Sequence, residues 1–274
     1  MQTLFSVCMS VYKNDKPEYV IIALDSVINQ SVKPAEIVLV VDGPVPVALN
    51  NLLDEYVEKY LSLFNVIRLS ENQGLGNALK IAIEAAKYEL IARMDSDDIA
   101  VSDRFEKQIT CFLNDQRLSI VGGSISEFIE TPDNIVGHRI CPLTDKEIKI
   151  YMKSRCGFNH MAVMFKKSDV LRVGNYQHWH YNEDYYLWIR MMLAGCKFAN
   201  LSDTLVNVRV GKDMYARRGG WKYFKSEASL QRYMWKHGII GLDRYIYNVA
   251  IRFAVQVAMP NSLRGWVFRT FARK

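Results

Sequence analysis

Several marks of a secreted, disulfide-held or membrane-spanning protein are missing from this sequence. Its five cysteines (Cys8, Cys111, Cys141, Cys156 and Cys196) are scattered, with no CxxC pair and an odd total. That pattern argues against a disulfide scaffold and a structural zinc site, and it fits a reducing compartment. No apolar run reaches the ~18 residues that a bilayer-spanning helix needs. Met1 to Phe5 carry no basic region and lead straight into a strand pattern, so no signal peptide is expected and a cytoplasmic location follows. Internal repeats and low-complexity stretches are absent too. What remains is ordinary globular material: half of the 274 residues are hydrophobic and 23% are charged, which supports a packed core and argues against disorder.

The charge is unevenly placed. Thr204 to Lys274 hold 14 Lys and Arg against 3 Asp and Glu, whereas residues 1–203 hold 21 against 26. An acidic front suits an enzyme that uses a metal ion. A basic back suits phosphate, nucleic acid or an anionic membrane.

The first hundred residues alternate two patterns. Strands are expected at Leu4–Val11, Ile37–Val41, Val66–Leu69 and Leu90–Met94, and the second is a continuous apolar run of the kind found in central parallel strands. Helices are expected from a capping box at Asp15-Lys16-Pro17-Glu18 to about Gln30, over residues 47–61, and over Asn77–Ala86. This order predicts an α/β fold, a mostly parallel sheet covered by helices, with ligands beyond the carboxyl ends of the strands. The rhythm then changes. Helices are expected at Asp103–Leu113, after the capping box Thr144–Glu147, and from Glu183 to Ala194. Extended segments are expected at Ile120–Ile129, Met161–Phe165, Lys197–Asn200 and Leu205–Val210. From Gly219 the chain reads as helices broken at Pro260. Three parts result: 1–100, 101–218 and a helical extension over 219–274.

The segment Arg93-Met94-Asp95-Ser96-Asp97-Asp98 directly follows an apolar strand. Three carboxylates within four residues repel one another, so a fold that gathers them at a strand end recruits a cation. Oxygen-only ligands favour Mg²⁺ or Mn²⁺ over zinc, and such ions keep room for water and substrate phosphates. A solvated acidic turn is the competing reading.

At this point the chain resembles the family 2 inverting glycosyltransferases, which have the A-type, Rossmann-like glycosyltransferase fold. Five segments in order carry the resemblance: Phe5–Tyr12, Ile37–Gly43, Asn72–Gly76, Arg93–Asp98 and Glu183–Arg190. The resemblance implies a nucleotide-sugar half at 1–100 and an acceptor and catalytic half at 101–218. It implies donor contacts at Tyr12, Asp42, Arg93, Asp95 and Asp97, with Asp97 and Asp95 as metal ligands and Asp98 orienting the loop. Asp184 is the implied base and Glu183 its partner toward the acceptor hydroxyl; His160 and Trp188 are implied acceptor contacts. Gly74 and Gly76 suggest a phosphate cradle, and Arg217-Arg218 a reach to the diphosphate. The chain departs from the family at Lys80, where Asn is frequent, and at Gly211, which stands where a His often follows the strand containing Arg209.

Each residue also has a plainer role. Tyr12 would cover the core, Asp42 and the glycines would shape turns, Glu183-Asp184 would complement a helix N-terminus, and His160 and Trp188 would pack. Beyond residue 240, Arg244, Asn248, Arg252 and Gln256 recur every four residues among apolar ones, and Arg alternates with aromatics after Pro260. That pattern fits a helix lying in an anionic membrane interface, with a lid or dimer interface as the alternative. The resemblance implies transfer of glucose or galactose from a UDP-sugar, forming a β linkage. The acceptor would be an undecaprenyl-diphosphate-linked N-acetylhexosamine at the inner face of a bacterial membrane, in O-antigen or exopolysaccharide assembly. Rival readings are a sugar nucleotidyltransferase, which would need a Gly-rich basic loop after the first strand, a glycosidase, and a nucleic-acid or membrane-binding protein without activity.

Overall fold

The computed structural model describes residues 3–211 and 219–259. Among these residues nine strands form one mixed sheet. Four are parallel neighbours at one side: β1 (Phe5–Val11), β2 (Glu36–Val41), β3 (Phe64–Arg68) and β4 (Leu90–Arg93). Then come β5 (Ile99–Ala100), β6 (Leu118–Phe128), β7 (Ile135–Arg139), β8 (Met164–Lys166) and β9 (Lys197–Arg209). Their order is β3-β2-β1-β4-β8-β6-β9-β5, with β7 paired to β6. The short β8 runs antiparallel to both β4 and β6, so it reverses the sheet's direction beside β4.

Alternation along the central strands sends side chains to two cores. Val7, Met9, Ile37 and Leu39 face one cluster, which α1 (Pro17–Ile28), α2 (Val47–Lys59) and α4 (Arg104–Asn114) cover. Cys8, Val38 and Val40 face the other, covered by α3 (Leu75–Ala85), α5 (Asp145–Tyr151), α6 (Lys167–Arg172) and α7 (Glu183–Leu193). The predicted α/β architecture is therefore present, with both faces of the sheet buried. Next, α8 (Trp221–Lys236) adds Leu230 and Met234 to the second cluster, and α9 (Leu242–Phe253) follows. The C-terminal helices thus share a core with the sheet domain. No helix among the described residues is long and apolar enough to cross a membrane.

Local departures from expectation have physical causes. The box at Thr144–Glu147 forms, each side chain bonding the other's backbone. The one expected at Asp15 does not: Lys16 is the N-cap and makes no side-chain cap bond, because the Asp15 carboxylate accepts from the Tyr12 N–H and the Ser96 hydroxyl instead. The two late strands merge into β9, whose pairing with β6 slips at Gly123–Ser124. Met161 and Ala162, expected extended, belong instead to a turn of 3₁₀ helix, His160–Ala162, ahead of β8. Arg217-Arg218 and the residues after Pro260 lie outside the described residues.

Candidate active site

The carboxyl ends of β1, β2 and β4 open toward one side of the sheet, and the loops there meet. Asp15 joins two of them by accepting from Tyr12 after β1 and from Ser96 in the acidic segment, at 3.0 and 2.8 Å. Tyr12 itself is left exposed at the end of β1. Asp42, after β2, is buried. Its carboxylate accepts from the Gln73 N–H (2.7 Å), the Gly74 N–H (2.9 Å) and the Asn72 amide (2.9 Å). These bonds fix the Asn72–Gly74 loop. Gly43 turns with φ +84°, and a Cβ there would come within 2.6 Å of the Asn72 nitrogen. Asp42 thus contributes here by shaping the loop that leads into α3.

The acidic segment is held from below by two buried guanidinium groups. Arg93 pairs with Asp95 at 2.6 Å. Arg104 donates to the carbonyls of Arg93 (2.7 Å) and Val163 (3.2 Å), tying β4 to the turn before β8. From the side, Arg209 closes the segment. Its backbone N–H donates to Asp98 (2.8 Å), its Nε to the Asp97 carbonyl (3.2 Å), and its guanidinium lies 3.8 Å from the centre of the Tyr19 ring.

One carboxylate oxygen from each of Asp95, Asp97 and Asp98 lies within 4.8 Å of the other two. Burial, Asp95 and Asp15 together push Asp97 up to about 6. Burial, Asp95 and Asp97 likewise push Asp98 well above the usual carboxylate range. Hard oxygen donors that raise one another's proton affinity in this way are a fitting set for Mg²⁺ or Mn²⁺. Asp98 is already bonded to the Arg209 backbone and Asp95 to Arg93, so Asp97 keeps the freest carboxylate of the three.

Opposite stands the start of α7. Gly76, in the first turn of α3, packs against Glu183 so closely that a Cβ would lie 3.3 Å from the Glu183 side chain. Burial and the neighbouring Asp184 push Glu183 up to about 7, with Asp95 adding to the effect and Arg93 opposing it. Burial also raises Asp184, while its own helix N–H groups and the Arg139 and Arg93 charges pull it back. Arg93 therefore sits in the field of both acidic groups. The thiol of Cys156 lies 3.9 Å from Asp184 Oδ2, and Arg139 donates to the Cys156 carbonyl at 2.9 Å.

The remaining expected residues divide. His160 shares a 2.6 Å hydrogen bond with the Tyr176 hydroxyl, and burial plus Arg93 hold its imidazole well below the usual range, hence neutral. Trp188 is wholly buried among Phe158, Phe165, Tyr176 and His160, the packing role expected beside its acceptor role, and it supports the wall behind His160. Sequence reading gives Arg139, Cys156 and Tyr176 no role, since each lies outside the recognised segments and reaches the site only through the fold. Asp15 is expected only as a helix cap, and Asn72 lies in a recognised segment without a role of its own.

Comparison with known proteins shows the family. The model for "Glycosyl transferase family 2" matches residues 6–171. An uncharacterized glycosyltransferase of Haemophilus influenzae is 39% identical over 98% of this chain and 99% of its own length. The amylovoran biosynthesis glycosyltransferase AmsE of Erwinia amylovora is 39% identical over 84% of this chain and 85% of its own. The UDP-Gal:alpha-D-GlcNAc-diphosphoundecaprenol beta-1,3-galactosyltransferase of Escherichia coli is 33% identical over 98% and 97%. Among solved structures, the mannosyltransferase PcManGT from Pyrobaculum calidifontis, in complex with GDP-Man and Mn²⁺, superimposes with a TM-score of 0.63. It is 14% identical, over 98% of this chain and 79% of that one, and so speaks to the fold alone. A matching family model across more than half the chain, near full-length relatives and an A-type fold all point one way: the chain belongs to glycosyltransferase family 2.

Proposed function

We propose that this protein transfers a hexose, glucose or galactose, from a UDP-sugar to a lipid-diphosphate-linked N-acetylhexosamine, with inversion at the anomeric carbon, in bacterial surface polysaccharide synthesis. The observation that supports this most is the closeness of two acidic groups, Asp95–Asp98 at the end of β4 and Glu183–Asp184 at the start of α7, with Arg93 paired to Asp95 and in the field of both Glu183 and Asp184. The Escherichia coli relative, near full length, supports the choice of donor and acceptor class.

In this reading Tyr12 stacks on the base. Asp42, through Asn72 to Gly74, shapes the loop beside the ribose and diphosphate. Asp97, with Asp95, would hold Mg²⁺ or Mn²⁺, whose charge neutralises the departing diphosphate. Asp184 accepts the acceptor's hydroxyl proton as that oxygen bonds to C1 and the bond from C1 to the diphosphate oxygen breaks; no covalent enzyme intermediate is needed. Glu183, whose raised pKa keeps much of it protonated near neutrality, donates a hydrogen bond to the acceptor. Burial raises Asp184 as well, and the Arg139 and Arg93 charges beside it work against that rise. In this reading Glu183 acts as the hydrogen-bond donor and Asp184 as the proton acceptor, a division of roles between neighbouring carboxylates. The C-terminal helices keep the enzyme at the inner face of the membrane, where a lipid-linked acceptor is found.

The test uses UDP-glucose and UDP-galactose with a synthetic GlcNAc-diphosphate-lipid. Asp97→Ala should abolish metal-dependent UDP binding, whereas Asp184→Asn should bind donor normally and fail in transfer. Normal transfer by Asp184→Asn would remove the base assignment.

A further inference from the structure

Helix α9 is turned inside out for a surface helix. Apart from the exposed Asp243 in its first turn, its polar residues bond to the protein: Asn248 is buried and donates to the Lys153 carbonyl (2.9 Å) and to Gln231 (2.7 Å). Arg252 reaches Glu227 of α8 and the Ser154 carbonyl, both at 2.6 Å, and Arg244 donates to the Ser154 hydroxyl. Its large apolar residues face away. Leu242, Ile246, Tyr247, Ile251 and Phe253 are 44–58% exposed. A helix that ends in water turns such residues inward, and a contiguous apolar patch marks a surface that something covers.

The neighbouring α8 tells what chemistry the cover has. Its exposed residues include Lys222, Lys225, Arg232 and Lys236, whose spacing puts them along one side of the helix. Trp221 links this side to the apolar one: its ring is 6.3 Å from that of Phe253, and the Lys225 ammonium lies 5.6 Å from its centre. Among the described residues after 218, Asp243 is the one exposed acid. We infer that the outward side of α9 and the basic side of α8 together form a docking face for an anionic lipid surface. Apolar side chains enter the acyl boundary while lysine and arginine meet headgroup phosphates. A second copy of this chain fits less well, because a two-fold contact would bring two basic rims together. Nucleic acid would leave Leu242, Ile246 and Ile251 without a partner.

The inward side of the hairpin gives the docking a direction. The Ser226 hydroxyl donates to the His180 carbonyl (2.6 Å) and accepts from Asn182, the residue capping α7. Asn248 and Arg252 hold Lys153 and Ser154, just before Cys156, which touches Asp184. The lipid face is therefore braced against the residues that lead into α7 and against the Lys153–Cys156 segment beside Asp184, so docking would hold the proposed base near the bilayer. This placement deepens the functional reading above, yet its test needs neither donor nor acceptor.

The full chain and two double variants, Ile246→Ser with Ile251→Ser and Lys222→Gln with Lys225→Gln, are floated with vesicles. One set is phosphatidylcholine alone, the other phosphatidylcholine mixed with phosphatidylglycerol. The full chain should bind the anionic vesicles and leave the neutral ones, and each double variant should bind about tenfold more weakly. Both variants should keep the parent's thermal midpoint, since the altered side chains are exposed. Equal binding by parent and variants, or no binding by the parent, overturns the inference. So does a parent dimer in size-exclusion chromatography that the apolar pair makes monomeric, or a chain lacking residues 260–274 that binds far more tightly than the full one. Failure here leaves the transferase reading intact. Conversely, vesicle binding without any sugar transfer would sink that reading alone.

Discussion

At the scale of single residues, the two carboxylates at the start of α7 carry the sharpest expectations. Replacing Asp184 by Asn removes a proton acceptor while keeping its shape, so kcat should fall by about 10²–10⁴ with donor affinity unchanged. Rate measurements beside UDP titration calorimetry read both quantities. Glu183 makes a pH prediction whose sign follows from burial. Its folded pKa is about 7 against an ordinary 4.5, so the folded state holds its proton more tightly than the unfolded one. The stability it contributes is complete below about pH 4.5 and is lost as pH rises through about 7. Glu183→Gln in the metal-free protein should therefore be stabilised relative to the parent by about 1–3 kcal/mol at pH 8 and by little at pH 5. Thermal melts at the two pH values would show a gap that is wider at the higher one; equal gaps would remove the assigned burial effect. The acidic groups themselves were legible in the sequence because their members are neighbours in the chain, Asp95 to Asp98 and Glu183 to Asp184. The residues that tune them were not. Arg139 and Cys156 reach Asp184 from β7 and from the loop after α5, and Asp15 reaches Ser96 across 81 positions; no local pattern announces such meetings. Trp188 shows why two roles stood open: at helical spacing, a residue beside the proposed base also falls on the buried face.

At the scale of elements, the βα units of the first hundred residues were readable because strand and helix each leave a periodicity. The edges were less so. A two-residue strand such as β5 is too short to leave a pattern, and the apolar run Met161–Phe165 that announces β8 carries no sign that β8 sets the antiparallel turn of the sheet. The Asp15 box failed because a better pair of donors, Tyr12 and Ser96, lay outside the helix. Loop geometry gives the next prediction. Gly43 has a positive φ and faces the backbone at Glu71 and Asn72, whose atoms would lie 2.6–2.9 Å from an added Cβ. Gly43→Ala must either strain β2's exit or push the Asn72–Gly74 loop away, costing about 2–4 kcal/mol. Because Asp42 anchors that same loop, the variant should also raise KM for the donor, while kcat at saturation changes less. Chemical denaturation and steady-state kinetics on one preparation would test the two effects together.

At the scale of the whole molecule, the charge asymmetry seen in the sequence, acidic before residue 204 and basic after it, has a structural counterpart in the acidic cleft and the basic α8. The sequence reading treated the last helices as an extension, since a four-residue polar recurrence looks the same whether it faces water or protein. The structure shows it facing protein. Gln231, Asn248 and Gln256 are buried, the Arg252–Glu227 pair is largely enclosed, and Leu230 and Met234 belong to the core that holds Trp188. Removing residues 241–274 would therefore strip Glu227 of its cation and Gln231 of its Asn248 partner. Unpaired buried polar groups cost about 1–3 kcal/mol each, more when charged. The shortened chain should melt about 5–10 °C lower than the parent. It should also lose transfer to a water-soluble acceptor, because the loops around Asn182 and Ser154 lose their support. Ile246→Ser with Ile251→Ser should do neither. If the shortened chain melts with the parent and still glycosylates the soluble acceptor, the brace against the base is absent and the hairpin acts on location alone.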